Sequence, residues 1–280
     1  MKQTEDKKLI REQAVTDNQW QVLNKFTEAR IGLGRAGPSQ TTKDLLAFQL
    51  AHARAQDAVN TPVNWHQLES SIQSLSLPSI HLHSQASDRA CYLQRPDLGR
   101  RLNDDSRQSL QSWKQAYDQP VELCVVVADG LSATAIEAQA TSMLRQLIDD
   151  LLQSGFETPL VCLADQARVA IGDEIAEILD AEFVLVLIGE RPGLSSPNSL
   201  GIYFSYQAKT GFTDAKRNCL SNIRPEGLSF AEASQRLIWL MKEAKRLKLS
   251  GVTLKDESQV NTQIDTKKQL NLLLSSPTSI

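Results

Sequence analysis

Residues 121–130 read VELCVVVADG, an apolar run that closes on Asp129-Gly130. A strand with one face in water would alternate polar and apolar side chains. An unbroken run predicts a strand buried on both faces, the kind found in parallel sheets covered by helices on each side. The residues that follow keep to that grammar. Ser132 stands where a helix N-cap is wanted, and Ile136, Ala140, Met143, Leu144, Leu147, Ile148 and Leu151 then form one helical stripe. Further strands are predicted at PLVCLA (159–164), EFVLVLIG (182–189) and GIYFSY (201–206), with a short helix at DEIAEIL (173–179). A last helix opens at Ser229 with Glu232 three residues on, a capping box. It carries Ala233, Leu237, Leu240, Met241, Ala244 and Leu247 on one face. Strand, helix, strand, helix, strand gives an α/β class: a Rossmann-like parallel sheet with flanking helices and right-handed crossovers.

A smaller helical region precedes this body. The chain divides into a flexible segment (1–20), a mainly helical region (21–119), the α/β domain (120–255) and a polar tail expected to be disordered (256–280). WQVLNKFTEA (20–29) has helical spacing, and Thr41 with Asp44 starts a second helix that runs to about Val59. Between them Gly32, Gly34 and Gly37 match G-x-G-x-x-G. A dinucleotide-binding turn needs a buried strand entering the first glycine and a helix starting at the glycines themselves. Here a helix enters and Pro38 intervenes, so a glycine turn joining two helices is expected. Residues 60–88 read as loop-rich. HLH (81–83) could set His81 and His83 on one side of an extended strand, but no acid or cysteine at ligand spacing accompanies them. The stretch 87–102 holds four arginines: Arg89, Arg95, Arg100 and Arg101. It is either a salt-bridged surface or a surface that meets an anionic or polar partner.

Composition narrows the class. The 280 residues carry a formal net charge of −3, with no basic excess that would point to nucleic acid. No apolar run approaches the roughly 20 residues needed to span a bilayer. Cys91, Cys124, Cys162 and Cys219 form no C-x-x-C pair, and two lie inside strand-like runs, which predicts reduced thiols and a cytoplasmic protein.

In an open parallel sheet, ligands collect beyond the carboxyl ends of the strands. Three loops leave those ends: ADGLSA (128–133), ADQARVAIGD (164–173) and GERPGL (189–194). In the last, Gly189 and Gly193 would let the backbone approach a ligand, and Glu190 puts a carboxylate just past a buried strand. Such a group needs donors. Arg191 could supply them, and so could a ligand rich in amide N–H groups. Cys219 sits among cations that would lower a thiol pKa, so a nucleophile is conceivable beside a plain packing role. No nucleophile elbow, P-loop or H-E-x-x-H occurs.

VLIGERPGLSSPNSLGIYFSY (186–206), followed by RNCLSNIRPEGL (217–228), resembles the small-subunit family of ethanolamine ammonia-lyase. The likeness runs in order through TEARIGLGRAG, LAFQLAHARAQDAV, DRACYLQRPDLGRRL, VADGLSATAI, ARVAIGDEIAEILDA and LKLSGVTLKD, over roughly residues 25–256. It implies a subunit of an adenosylcobalamin-dependent carbon–nitrogen lyase that turns ethanolamine into acetaldehyde and ammonia by a radical mechanism. It also implies a hetero-oligomer with a large subunit, whose barrel carries the substrate site while the small subunit closes the cobalamin site. By motif, the resemblance assigns cofactor contacts to Val169, Glu190 and Cys219, with no catalytic acid or base and no metal ligand on this chain. No membrane or nucleic-acid partner is implied. Some relatives carry a longer N-terminal extension that steers them into bacterial microcompartments; KKLIREQAV (7–15) would be a short amphipathic counterpart here. No D-x-H-x-x-G occurs, and none of His52, His66, His81 or His83 follows an aspartate by two positions. The cofactor is therefore expected to keep its own base on cobalt. The alternative is a scaffold subunit that stabilises the large subunit with little role in cofactor binding.

Overall fold

The run at 121–130 becomes a strand, Leu123–Ala128, with every residue buried. The computed structural model describes residues 15–117 and 119–258. The strands are β1 Arg35–Ala36, β2 Ser39–Gln40, β3 Ser79–His83, β4 Leu123–Ala128, β5 Leu160–Asp165, β6 Phe183–Gly189, β7 Leu200–Tyr206 and β8 Asn218–Ile223. The helices are α1 Thr42–Asn60, α2 Trp65–Gln73, α3 Arg89–Gln94, α4 Asp104–Ala116, α5 Ala133–Gln153, α6 Ile171–Leu179 and α7 Phe230–Leu247. β1 and β2 make a small hairpin; the other six strands form one sheet in the order β3-β5-β4-β6-β7-β8. From β3 to β6 the neighbours are parallel, while β7 and β8 each pair antiparallel, so the sheet is mixed around a parallel body.

Alternation along β4 explains its unbroken apolarity. Leu123, Val125 and Val127 meet the α5 stripe and Leu237 and Met241 of α7 on one face. Cys124, Val126 and Ala128 meet Ile171, Ile175 and Leu179 of α6 and Leu110 of α4 on the other. Each buried Val, Leu, Ile or Met among these contributes about 1.5–3 kcal/mol by leaving water. Cys124 and Cys162 lie across neighbouring strands as free thiols, their sulfurs 3.7 Å apart. The expected caps form. Ser132 accepts from Ala135 N at 3.1 Å, Thr41 from Asp44 N at 3.1 Å, and Ser229 and Glu232 close the capping box.

Four expectations change. The helix over 20–29 is a 3-10 helix, Gln19–Lys25, capped by Asn18; it buries no residue, so no packing extends it. The glycines after it lead into the β1–β2 hairpin, where Gly37 takes φ +58° at the tip, and no buried strand enters them. The stretch 60–88 is not mainly loop: it holds α2 and β3, and β3 pairs with β5 as the parallel edge of the sheet. Leu247 stands exposed at the end of α7, off the buried face. β8, whose sequence alternates weakly, is a strand that periodicity did not find. The expectations for KKLIREQAV, apart from Val15, and for the tail from 259 onward lie outside the described residues. Among the described residues, no helix is long and apolar enough to cross a membrane.

Candidate functional site

After β5 the chain crosses over β4 and lays β6 on its other side, so the strand order reverses between β4 and β6. Loops leaving an open α/β sheet at such a reversal frame its ligand crevice. Here they are clamped together. Leu131 N donates to Gly189 O at 3.0 Å. A Cβ on Gly130 would fall 2.3 Å from Gly189 O, and one on Gly189 would fall 2.1 Å from Ser132 O. Gly189 therefore lets two loops of the protein approach each other, and it also lines the depression that these loops frame.

Asp129 adds the third loop. Its Oδ1 accepts from Gly130 N at 2.9 Å and from Ala167 N at 2.8 Å, tying the end of β4 to the turn after β5. Its Oδ2 lies 3.3 Å from Arg89 Nη1. Burial pushes the Asp129 carboxyl up to about 7, opposed by the Ala167 amide and the Arg89 charge. Arg89 also donates from Nε to Val59 O and from Nη1 to Gly130 O. The Tyr92 ring sits under two guanidinium groups, with Arg89 4.6 Å and Arg168 4.4 Å from its centroid.

Above this floor lies a depression of about 450 Å³ lined by Tyr92, Arg168, Val169, Glu190, Arg191 and Tyr203, among others. A second, about 630 Å³, shares Arg168, Val169 and Tyr203 and reaches Arg217, so the two form one trough along the strand ends. Val169 and Glu190 are thus brought together. Val169 is half-buried at the start of α6 and packs on the core below it. Glu190 is half-buried, and its Oε2 accepts from Ser199 Oγ at 2.5 Å and from Asn222 N at 3.1 Å. Arg191 is not its partner. A Cβ on Gly201 would lie 3.0 Å from Oε1, so this glycine makes room for the carboxylate. Among the described residues no donor reaches Oε1, which leaves one carboxylate oxygen for a ligand.

Cys219 sits one strand further out. It is exposed on β8, in register with Tyr203 of β7. The expectation of a lowered thiol pKa is overturned. Desolvation of the sulfur by its surroundings pushes it up, Tyr203 opposes, and the Glu190 charge adds to the rise. The nearby cation is engaged elsewhere: the buried Arg217 guanidinium pairs with Asp173 and Asp214 and donates to Phe212 O. Burial lifts Asp173 to about 6 against the pull of Arg217. Sequence reasoning missed Tyr203 and Tyr92. Tyr203, whose hydroxyl is pushed up to about 12 mainly by burial, belonged to a strand already predicted, but only the sheet shows which face it takes.

The arginine-rich stretch is chiefly a salt-bridged surface. Arg89 pairs with Asp129, Arg95 with Asp97, and Arg101 with the buried Glu174, while Arg100 is exposed at the trough. His83 contacts Ser84 O, and His81 packs on Trp65. Among the described residues no group of three or more His, Cys, Asp or Glu could hold a metal ion. A larger depression, about 810 Å³, lies at the opposite end of the strands. Its rim carries Glu122, Glu157, Glu177, Asp180 and Glu182, and Lys245 already pairs with two of these. Glu157, Glu177 and Asp180 of this rim are exposed to solvent, and the depression lacks the loop convergence of the strand-carboxyl trough.

Fold and site define a class: a Rossmann-like α/β body whose strand-carboxyl edge is an open trough in which Tyr92, Val169, Ile188 and Tyr203 stand among charged side chains. The Ethanolamine ammonia-lyase light chain (EutC) family matches residues 17–255, and the chain belongs to that family. It is 50% identical over 263 residues to the ethanolamine ammonia-lyase small subunit of Pseudomonas fluorescens (strain Pf0-1), covering 93% of this chain and 96% of that one. The corresponding small subunit of Azotobacter vinelandii (strain DJ / ATCC BAA-1303) is 50% identical over 245 residues, covering 88% and 91%.

Proposed function

We propose that this chain is the cobalamin-holding small subunit of an ethanolamine ammonia-lyase, and that a large subunit carrying the substrate site completes the pocket around adenosylcobalamin. The observation that carries this reading is the convergence of Val169 and Glu190 on one trough, with Glu190 Oε1 unengaged. A corrin ring is apolar in its middle and rimmed with amide side chains, and the trough fits that chemistry. Glu190 accepts from amide N–H groups, Arg168 donates, and Val169 and Tyr203 give apolar contact. Cys219 contacts the cofactor from the β8 edge. When bound, adenosylcobalamin supplies the radical chemistry through its cobalt–carbon bond. This chain binds, orients and excludes water, with no acid or base of its own in the reaction. The working unit is residues 120–255, assisted by the edge strand β3 and the 89–101 segment, in a cytoplasmic hetero-oligomer.

Glu190→Ala tests the reading. In the complex co-expressed with a large subunit, absorbance titration with adenosylcobalamin is expected to give about tenfold weaker affinity, the value of one lost charge-assisted hydrogen bond. Assembly stays intact. A scaffold role predicts unchanged affinity. With no histidine in the D-x-H-x-x-G context, the cofactor keeps its own base on cobalt. Electron paramagnetic resonance of the cob(II)alamin form with isotopically labelled nucleotide nitrogen should report coupling to that nitrogen, and coupling to a protein nitrogen would refute this.

A further inference from the structure

Among the described residues fifteen large hydrophobic side chains stand exposed, and nine of them fall within residues 15–50. They include Trp20 (67% exposed), Phe26 (69%), Leu46 (58%) and Leu50 (53%). α1 is 19 residues long and buries only Ala58, whereas the 21-residue α5 buries ten positions. A helix owes most of its stability to a packed face, so α1 has a face whose cover is not in the rest of this fold. The nine side chains expose on the order of 800 Å² together. That total is comparable with one partner's share of a standard interface.

The position of this arm says what covers it. Glu28 pairs with Arg224 at 2.9 Å, beside the turn after β8. Leu33 and Phe48 share a groove of about 400 Å³ with Leu194 and Ser195, which belong to the loop that begins at Glu190. One loop thus lines the trough with Glu190 and Arg191 and this groove with Leu194 and Ser195, so a polypeptide closing the trough comes up beside the arm. We infer that residues 15–60 are the docking arm for the large subunit. This rests on the proposed pocket, whose other half that subunit supplies. A second copy seated on the arm would leave the trough unclosed. The chain's own segment 259–280 contains one apolar run, LNLLL, too short to cover nine side chains spread over 36 positions.

The test is Trp20→Ser, Phe26→Ser and Leu46→Ser together, in the full chain co-expressed with a tagged large subunit and no cofactor. Co-purification is expected to fall about tenfold or more, as for a lost cluster of apolar anchors. The thermal unfolding of the variant alone should match that of the unaltered chain. In a second measurement on the unaltered chain, adding large subunit must raise hydrogen-exchange protection of α1. Unchanged co-purification or unchanged protection overturns the docking arm. So does a stable homodimer that the triple variant abolishes while assembly with the large subunit persists, and so does α1 protection that disappears on deleting 259–280. The two proposals fail separately: the arm is read by assembly without cofactor, and the pocket by the cofactor affinity of assembled Glu190→Ala.

Discussion

At the scale of single residues, Asp129 and Glu190 show how two carboxylates near the same strand ends do different work. Glu190 keeps one oxygen open, whereas Asp129 is buried and joins three segments through Gly130, Ala167 and Arg89. The Asp129 carboxyl sits near 7 in the fold against the usual 3.8, so between those values the folded chain holds a proton that the unfolded chain has released. Folding therefore loses stability as pH rises from about 4 to about 7, by up to ~4 kcal/mol for this group, and nothing further above that window. Asp129→Asn abolishes the titration and keeps Oδ1 as an acceptor. Thermal denaturation at pH 5 and pH 8 should show a smaller loss for the variant than for the unaltered chain. Asp173, raised in the same sense to about 6, contributes to what remains. Equal losses in both proteins would remove Asp129 as the source.

At the scale of elements, the pair Asp173–Arg217 fastens α6 to the segment entering β8, and so joins the loop carrying Val169 to the strand carrying Cys219. Both side chains are almost wholly buried. Removing one partner strands a charge, which typically costs about 3–5 kcal/mol, whereas removing both costs less than the sum. Urea denaturation of Arg217→Ala, Asp173→Ala and the double variant is expected to give a coupling of at least ~1 kcal/mol. Additive effects would mean that the two elements are held by packing alone.

At the scale of the molecule, the proposed function makes the trough one half of a site. Its walls come from three loops and one sheet edge on a single side, and the apolar arm at 15–60 extends from its rim. The purified chain alone is expected to release no acetaldehyde from ethanolamine in the presence of adenosylcobalamin, and turnover should appear on adding the large subunit. Turnover by the chain alone would overturn the subunit assignment, because it would place a complete active site on this polypeptide.

Local chemistry alone settled much of this protein. β4, α5 and the capped start of α7 were legible because burial on two faces, a helical stripe and a capping box each leave a pattern within a few neighbouring residues. The strand-end loops bearing Val169 and Glu190 followed from strand polarity. What lay beyond local reach was decided by partners distant in sequence. β3 is a strand because β5 offers it a parallel edge, and β8 because β7 offers it an antiparallel one. The donors to Glu190 are Ser199 and Asn222 in place of the adjacent Arg191. Gly189 serves a contact with Ser132. The Cys219 thiol is raised chiefly by desolvation, and the neighbouring Arg217 turns inward to Asp173. Periodicity reports which side of an element is buried; which groups then meet there depends on chain crossings that only the assembled sheet specifies.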